Sequence, residues 1–437
     1  MASKGKSNGA DRVAVVSGLR TPFLKQGSGF RSMTTLELSA TVVNELIHRT
    51  GVDPKEYTGC VFGQVMPSLD YINLAREVVI RTVLDDSVTV AHSVSQACVT
   101  SVQALTTAIN AIENGEHDAM ITGGADSMDD LPLGVGRKLT KALMGLQKAK
   151  TAMDRVRLLS TVSPGDLIPP MPGYSLEPST GMSMGQHCET MVKDWGISRQ
   201  WQDEIAHQSH TKAAKAWAEG FYDDLVMPVA APPYKEAFRE DNIVRKDSKL
   251  EDYAKLRPVY DKKHGTVTAA NASPLTDGAA AIVVMRESKA RALGLEPLGY
   301  LRSWAYTAVD PTWQLLIGPV FGIPKALAKA GLTMKDIDLV EMHEAFAAQV
   351  ACTLEALRSR KFCEEHLGLS EPIGELDPER FNVNGGSVAI GHPFGATGAR
   401  MVMQGLKELK RRQKQFALMT ICAGGAMGVA AVLEVAR

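Results

Sequence analysis

The chain of 437 residues has no close cysteine pair, no excess of either charge and no long apolar run. Its six cysteines, at positions 60, 98, 188, 352, 363 and 422, lack the tight spacing of a zinc site. A chain of this length builds its own cores without disulfides or metal, so two or three domains are expected and no structural metal. The leading segment, Met1 to Ala10, has no apolar core of the signal-peptide kind, and a reducing, cytoplasmic setting is the expectation. Lys plus Arg number 48 against 49 Asp plus Glu, a formal charge of -1, which gives no global bias toward nucleic acid. Apolar runs are interrupted by Gly, Asp or Pro well short of a membrane span, so a soluble protein is expected.

What is present is a recurring strand, turn and helix grammar. Arg12 to Ser17 reads as a strand, and Thr35 to His48 as a helix whose Leu36, Leu38, Val42, Val43, Leu46 and Ile47 form an apolar stripe. Val88 to Val94 is strand-like and the run from Cys98 to Ile112 turns to helical spacing, with Asn114-Gly115 as the stop. Asp118 to Gly124 is a short strand ending in glycines. The tail repeats the pattern with a strand at Ile337 to Glu341, a helix at Ala345 to Leu357 and a strand at Phe416 to Ile421 ending in Cys422-Ala-Gly-Gly425. Two α/β halves sharing one layout are therefore expected, 1–130 and 276–437. Residues 131–275 between them, with Pro164, Pro169, Pro170, Pro172 and Pro178 clustered, read as an inserted loop domain with its own helices, notably Ser198 to Trp217.

Within the insertion, Arg137 to Leu159 carries Arg137, Lys138, Lys141, Lys148, Lys150, Arg155 and Arg157 against Asp154 alone, with apolar residues interspersed. A solvated hairpin packed on its own body accounts for this pattern. So do a partner-protein surface, an anionic membrane surface and a contact for a phosphate-bearing substrate.

Four side chains carry the chemistry. Cys98 stands where an extended segment enters a helix, near free N–H groups and the positive end of the helix dipole, an environment expected to favour the nucleophilic thiolate; a small buried apolar side chain is the plain alternative. His392, in Gly391-His-Pro393, cannot sit on a regular helix and belongs to a constrained loop. There it can take a proton from Cys98 and then donate to a developing oxyanion, or be a satisfied loop histidine. His343 enters a helix and can hold water or polarise a carbonyl, while Glu344 orients neighbours or caps the helix. Cys422 precedes glycines that let a thioester carbonyl approach backbone N–H groups; a core cysteine beside a tight turn fits the same pattern.

These residues resemble the thiolase family, and within it the long-chain 3-ketoacyl-CoA thiolase beta subunits of fatty-acid oxidation complexes. The likeness runs nearly end to end, through Val16 to Phe23, the Cys98 segment, Gly123 to Ser127, Asn271 to Gly278, His343-Glu-Ala-Phe346, Gly391 to Pro393 and Cys422 to Gly425. It implies a layered α/β/α/β/α fold of duplicated halves with an inserted loop domain. It implies that Cys98 attacks the 3-keto carbon of a 3-ketoacyl-CoA, His392 activates it, and Cys422 protonates the acetyl-CoA enolate. Coenzyme A is then a substrate, and no prosthetic group is required. Two oxyanion sites follow from the same likeness: His392 with water near His343, and the N–H groups of Cys98 and Gly424. Ser273 resembles a coenzyme A contact, Met184 a wall for the thioester, and Asn271 a residue fixing the loop around that contact.

The chain departs from many members in having His343 for asparagine, as beta subunits do, Ala426 for a third glycine, and Ser183 where short-chain members have histidine. The likeness implies at least a homodimer and a hydratase/dehydrogenase alpha subunit as partner, with 137–159 meeting that partner or a membrane. An acetoacetyl-CoA thiolase or a related decarboxylating condensing enzyme is the nearest competing activity, and a lipid-binding scaffold the non-enzymatic one. The second sulfur, Cys422, favours proton shuttling over decarboxylation.

Overall fold

The computed structural model describes residues 11–132, 134–168 and 176–436. The leading segment and Pro169, Pro170 and Pro172 lie outside the described residues. The N-terminal run is β1 (Val13–Arg20), β2 (Leu24–Lys25), α1 (Thr35–Thr50), β3 (Gly59–Gly63), α2 (Leu74–Ile80), β4 (Val90–Val94), α3 (Thr100–Glu113) and β5 (Ala119–Asp126). The middle holds α4 (Arg137–Lys148), α5 (Ala152–Leu159), α6 (Met184–Trp195), α7 (Arg199–Ala218), β6 (Val229–Ala230), β7 (Ala237–Phe238) and α8 (Leu250–Ala254). The rest is β8 (Thr276–Arg286), α9 (Glu287–Ala292), β9 (Gly299–Ala308), α10 (Gly318–Ala330), β10 (Leu339–Met342), α11 (Ala347–Arg358), α12 (Arg360–Leu367), α13 (Ser387–Ile390), α14 (Thr397–Arg412), β11 (Phe416–Ala423) and β12 (Met427–Val435).

Local chemistry sets the helix ends. Thr34 caps α1 in a reciprocal box with Glu37, and Gly51 closes it at φ 66°. Asn114 and Gly115, the latter at φ 78°, stop α3 where the sequence places the stop. The strand order is β10-β11-β12-β9-β1-β8-β5-β3-β4, and the two sides meet through a single residue pair, Val15 with Gly299.

On each side of that joint the wiring is the same. β3 runs parallel to β4 and β5, with β5 antiparallel to β8 and β8 to β1. β10 runs parallel to β11, with β11 antiparallel to β12 and β12 to β9. The counterpart of β4 is reduced to a parallel bridge between Val340 and Phe381. The duplicated halves expected from β5 and β11 are thus present. β8, which the sequence puts at the head of the C-terminal half, hydrogen-bonds between β1 and β5 and so continues the N-terminal sheet.

Strand alternation sorts side chains into three cores. Ala14, Val16 and Val283 join α1 and α2 on one outer face, while Leu418 and Val432 join α10 and α11 on the other. Val15, Ile282, Met419 and Ile421 point inward onto α3 and α14, which pack together between the sheets. Each such aliphatic side chain contributes about 1.5–3 kcal/mol by leaving water. The result is helix, sheet, helix, sheet, helix, with both central helices starting at one end of the molecule.

The basic hairpin stands apart from these cores. α4 buries Ala142 alone, and α5 buries nothing. Met153 is 76% exposed and Val156 62%. Of the alternatives for 137–159, a hairpin packed on the protein's own body is the one the structure does not show: the two helices touch each other, with Gly145 against Leu158, and leave Leu143, Met144, Met153, Val156 and Leu159 exposed.

Candidate active site

Cys98 lies just before α3, whose N-cap is Val99. The preceding residue, Ala97, is forced to φ 47°, and the Thr100 hydroxyl holds the bend, accepting from Gln96 N at 2.8 Å and donating to Ala97 O at 2.7 Å. A left-handed non-glycine residue costs about 1–3 kcal/mol, and here the strain turns the thiol toward the opposite half. Cys98 Sγ is 3.2 Å from His392 Nε2. Burial pushes the thiol up to about 11, against the N–H groups of Gly424 and Cys98 itself, which pull it down. The expected resting thiolate is thus corrected: burial outweighs the local N–H dipoles, and the resting group is a thiol.

His392 occupies the loop between α13 and α14, after Gly391 at φ 107°. Its backbone N–H donates to Thr276 Oγ1 at 2.8 Å. Its Nδ1 is 2.6 Å from Thr397 Oγ1, and that hydroxyl donates to Pro393 O at 2.9 Å. Thr397 must then accept, so the ring proton sits on Nδ1 and the Nε2 lone pair faces Cys98. Burial and the Arg400 charge lower the imidazole to about 3. A neutral base therefore faces a neutral thiol.

His343 follows β10, and its N–H donates to Thr420 O at 2.8 Å. Its ring centroid is 4.1 Å from that of His392, and Nδ1 is 2.8 Å from Ser387 Oγ. Burial, then His392 and Arg400, hold it well below the ordinary histidine range. Glu344 does not cap the helix that follows it: α11 starts from Phe346 without a side-chain cap. It is buried instead, accepting from Ser209 Oγ and Asn382 Nδ2, both at 2.7 Å, and from Val388 N at 3.2 Å. Gly386 makes room for it, since a Cβ there would lie 2.1 Å from the Glu344 carboxyl carbon.

Cys422 lies one residue before the end of β11, pairs with Gly428 and is buried, which raises its thiol well above the usual range, with Cys98 adding to the rise. Gly424, Gly425 and Ala426 make the turn into β12, the last two at φ 76° and 56°. Glu177 of the insertion accepts from Gly425 N at 3.0 Å.

One pocket of about 420 Å³ gathers Cys98, His392, Cys422, Gly424, Met184 and Ser273 on its walls. Its polar groups are few and its other walls, among them Tyr260, Phe346, Phe394 and Leu316, are apolar, as a thioester with an acyl tail requires. Asn271 does not line it: the residue is fully buried, with Nδ2 donating to Asp203 Oδ1 at 2.9 Å and Oδ1 accepting from Thr268 N at 2.7 Å. Its side chain ties the loop that carries Ser273 and makes no wall of the pocket. His343 stands behind His392 and does not line the pocket. Cys98, His343 and His392 each bring one ligand atom within 4.8 Å of the others, a spacing that suits a soft metal ion only by breaking the Cys98–His392 contact. Sequence reasoning missed the groups behind the histidines, Ser387, Thr397 and Arg400. The only trace of Arg400 is a cation on the apolar face of α14.

Known proteins match this arrangement over its whole length. Residues 13–288 fit the family model for the thiolase N-terminal domain and 295–435 that for the thiolase C-terminal domain. The 3-ketoacyl-CoA thiolase of Cronobacter sakazakii is 50% identical over 424 residues, 97% of both chains. That of Vibrio cholerae is 50% identical over 430 residues, 98% of both chains. Among solved structures, the Bacillus anthracis acetyl-CoA acetyltransferase superposes with a TM-score of 0.84 at 31% identity, covering 98% of this chain and all of that one. Human mitochondrial 3-ketoacyl-CoA thiolase superposes with 0.83 at 29% identity, covering 97% and 99%. By sequence, layering and site, the chain belongs to the thiolase family.

Proposed function

We propose that this protein is a 3-ketoacyl-CoA thiolase, an acyltransferase that cleaves 3-ketoacyl-CoA with coenzyme A in fatty-acid β-oxidation. The observation that carries the reading is the 3.2 Å approach of Cys98 Sγ to the His392 Nε2 lone pair in a pocket shared with Cys422 and Gly424.

Cys98 attacks the 3-keto carbon as its proton passes to His392, so charge never has to rest on sulfur in the buried pocket. The tetrahedral oxyanion takes the N–H groups of Cys98 and Gly424. Collapse breaks the bond between C2 and C3, leaving an acyl-Cys98 thioester and the acetyl-CoA enolate. The enolate's carbon takes the Cys422 proton, and its thioester oxygen is stabilised by His392, now a donor, and by water held at His343. Incoming coenzyme A gives its proton to Cys422 and attacks the acyl enzyme. Acyl-CoA two carbons shorter leaves, and His392 returns its proton to Cys98. Every proton is accounted for within these groups, so no prosthetic group or metal enters the scheme.

In this reading the two halves carry the reacting groups, Cys98 from residues 1–130 and His343, His392 and Cys422 from 276–437. The insertion 131–275 supplies Met184 and Ser273 for the thioester and coenzyme A, with Asn271 holding that loop. We place the enzyme in the cytoplasm, which suits six free cysteines, and expect a homodimer or higher assembly with a hydratase/dehydrogenase alpha subunit. The exposed apolar and basic hairpin 137–159 supports a contact with that subunit or an anionic membrane surface. Among the described residues no helix is long and apolar enough to cross a membrane.

The test is turnover of short, medium and long 3-ketoacyl-CoAs with coenzyme A, followed by acetyl-CoA release and by the mass of the Cys98 peptide. Acyl-Cys98 and stoichiometric acetyl-CoA are expected. Binding without either product would return the protein to the scaffold reading.

A further inference from the structure

Ser387 Oγ stands between two buried groups. Arg400 Nη2 donates to it at 2.9 Å, and His343 Nδ1 lies 2.8 Å on the other side. All three residues are at most 2% exposed. A guanidinium has only donors, so Ser387 Oγ accepts from Arg400 and keeps one proton to give. Among the described residues no other hydrogen-bond partner of this hydroxyl is found, so the proton goes to His343 Nδ1. The opposite arrangement, Nδ1–H donating to Ser387, would put two donors on one oxygen and leave a buried hydroxyl proton unmatched.

The consequence falls on the far side of the ring. With Nδ1 accepting, His343 must carry its proton on Nε2, a buried nitrogen with no protein partner. One ring nitrogen of His343 lies within 4.8 Å of Cys98 Sγ and of a ring nitrogen of His392. Burial and the Arg400 charge both disfavour a second proton, so the ring is neutral and only its tautomer needs choosing.

We propose that Ser387, clamped by Arg400, is a positioning residue that holds His343 as the Nε2–H tautomer, so that the water between His343 and the thioester enolate oxygen always meets an N–H donor. This rests on the thiolase reading above and adds to it the device that makes a histidine dependable as a donor. An imidazole free to choose its tautomer would, in part of the molecules, accept from that water instead of donating to it, and so leave the water a weaker donor to the enolate oxygen.

The experiment follows two half-reactions separately. Acyl transfer from acyl-CoA to Cys98 reports the nucleophile, and exchange of the acetyl-CoA methyl protons with deuterated water reports the enolate. Ser387→Ala should slow exchange by about 10-fold or more, the scale of weakening one oxyanion donor, and leave acyl transfer within about 3-fold. An amide cannot tautomerise, so in a His343→Asn background the same Ser387→Ala change should alter exchange less than about 3-fold. Ser387→Thr, which keeps the hydroxyl, should restore exchange. Nitrogen-15 NMR of labelled histidine, with His343→Asn as the assignment control, should give a pyrrole-type Nε2 in the parent and a mixed population in Ser387→Ala. Equal effects of Ser387→Ala in both backgrounds, or a protonated Nδ1 on His343 in the parent, would overturn the proposal while leaving the thiolase reading intact. Failure of the parent to acylate Cys98 at all would instead overturn that reading.

Discussion

Gly398 of α14 lies against Val102 of α3 so closely that a Cβ on residue 398 would come within 2.5 Å of Val102 Cγ2 and 3.0 Å of Ser101 Oγ. The two central helices meet at this point, where Ser101 Oγ also accepts from Ala399 N at 2.9 Å. The same two helices begin at the nucleophile and at the base loop. Gly398→Ala should therefore push them apart, cost about 1–3 kcal/mol of stability as overpacked cores do, and lower kcat by about 10-fold or more through misplacement of the reacting pair. Thermal unfolding and steady-state rates check both. A variant with parental kcat would show that the helix contact does not set the site.

Arg20 of β1 and Asp241 of the insertion form a second long-range tie. Arg20 Nη1 and Nη2 reach the carboxylate at 2.6 and 2.8 Å, both side chains are at most 1% exposed, and Asp241 Oδ1 also accepts from Phe23 N at 2.7 Å. Asp241→Asn leaves the guanidinium buried without its counter-charge, a change that costs about 3–5 kcal/mol. A marked fall in the thermal midpoint is expected. A midpoint within error of the parent would mean that Arg20 finds another acceptor.

Cys422 separates the thiolase assignment from acyl chemistry of a simpler kind. Cys422→Ser keeps the size and removes the acidic sulfur, so acyl loading of Cys98 should persist while exchange of acetyl-CoA methyl protons and overall cleavage fall by about 100-fold or more. Intact mass and deuterium incorporation measure the two. Equal loss of both in a folded variant would contradict separate roles.

Much of this was legible in sequence because it rests on local signals. The stop of α3 at Asn114 and Gly115, the strand ending in Cys422 and the loop around His392 are set by glycine, proline and periodicity within a few residues. Two features were not. The ionisation of Cys98 depends on total burial, which local N–H groups cannot reveal, so a helix entry that promises a thiolate delivers a thiol. Ser387 and Arg400 act on His343 across 44 and 57 positions, and nothing local in the chain connects them.

The resting state of the nucleophile has its own signature. Cys98 is pushed up to about 11 by burial and His392 lowered to about 3 by burial and Arg400, so between those values thiol and imidazole are both neutral. Iodoacetamide consumes thiolate, whose fraction grows about tenfold per pH unit below the thiol's own pKa. The alkylation rate of Cys98, taken as the difference between parent and Cys98→Ser, should therefore climb with near unit slope from pH 7 to 10 and show no plateau. A thiolate–imidazolium pair would behave differently, ionising below neutrality and giving a rate that is flat across that range. Acylation by a thioester should not share the steep climb, because His392 takes the proton in the attack itself. A flat alkylation profile from pH 7 to 10 would mean that the pocket is wetter, or more positive, than this packing allows.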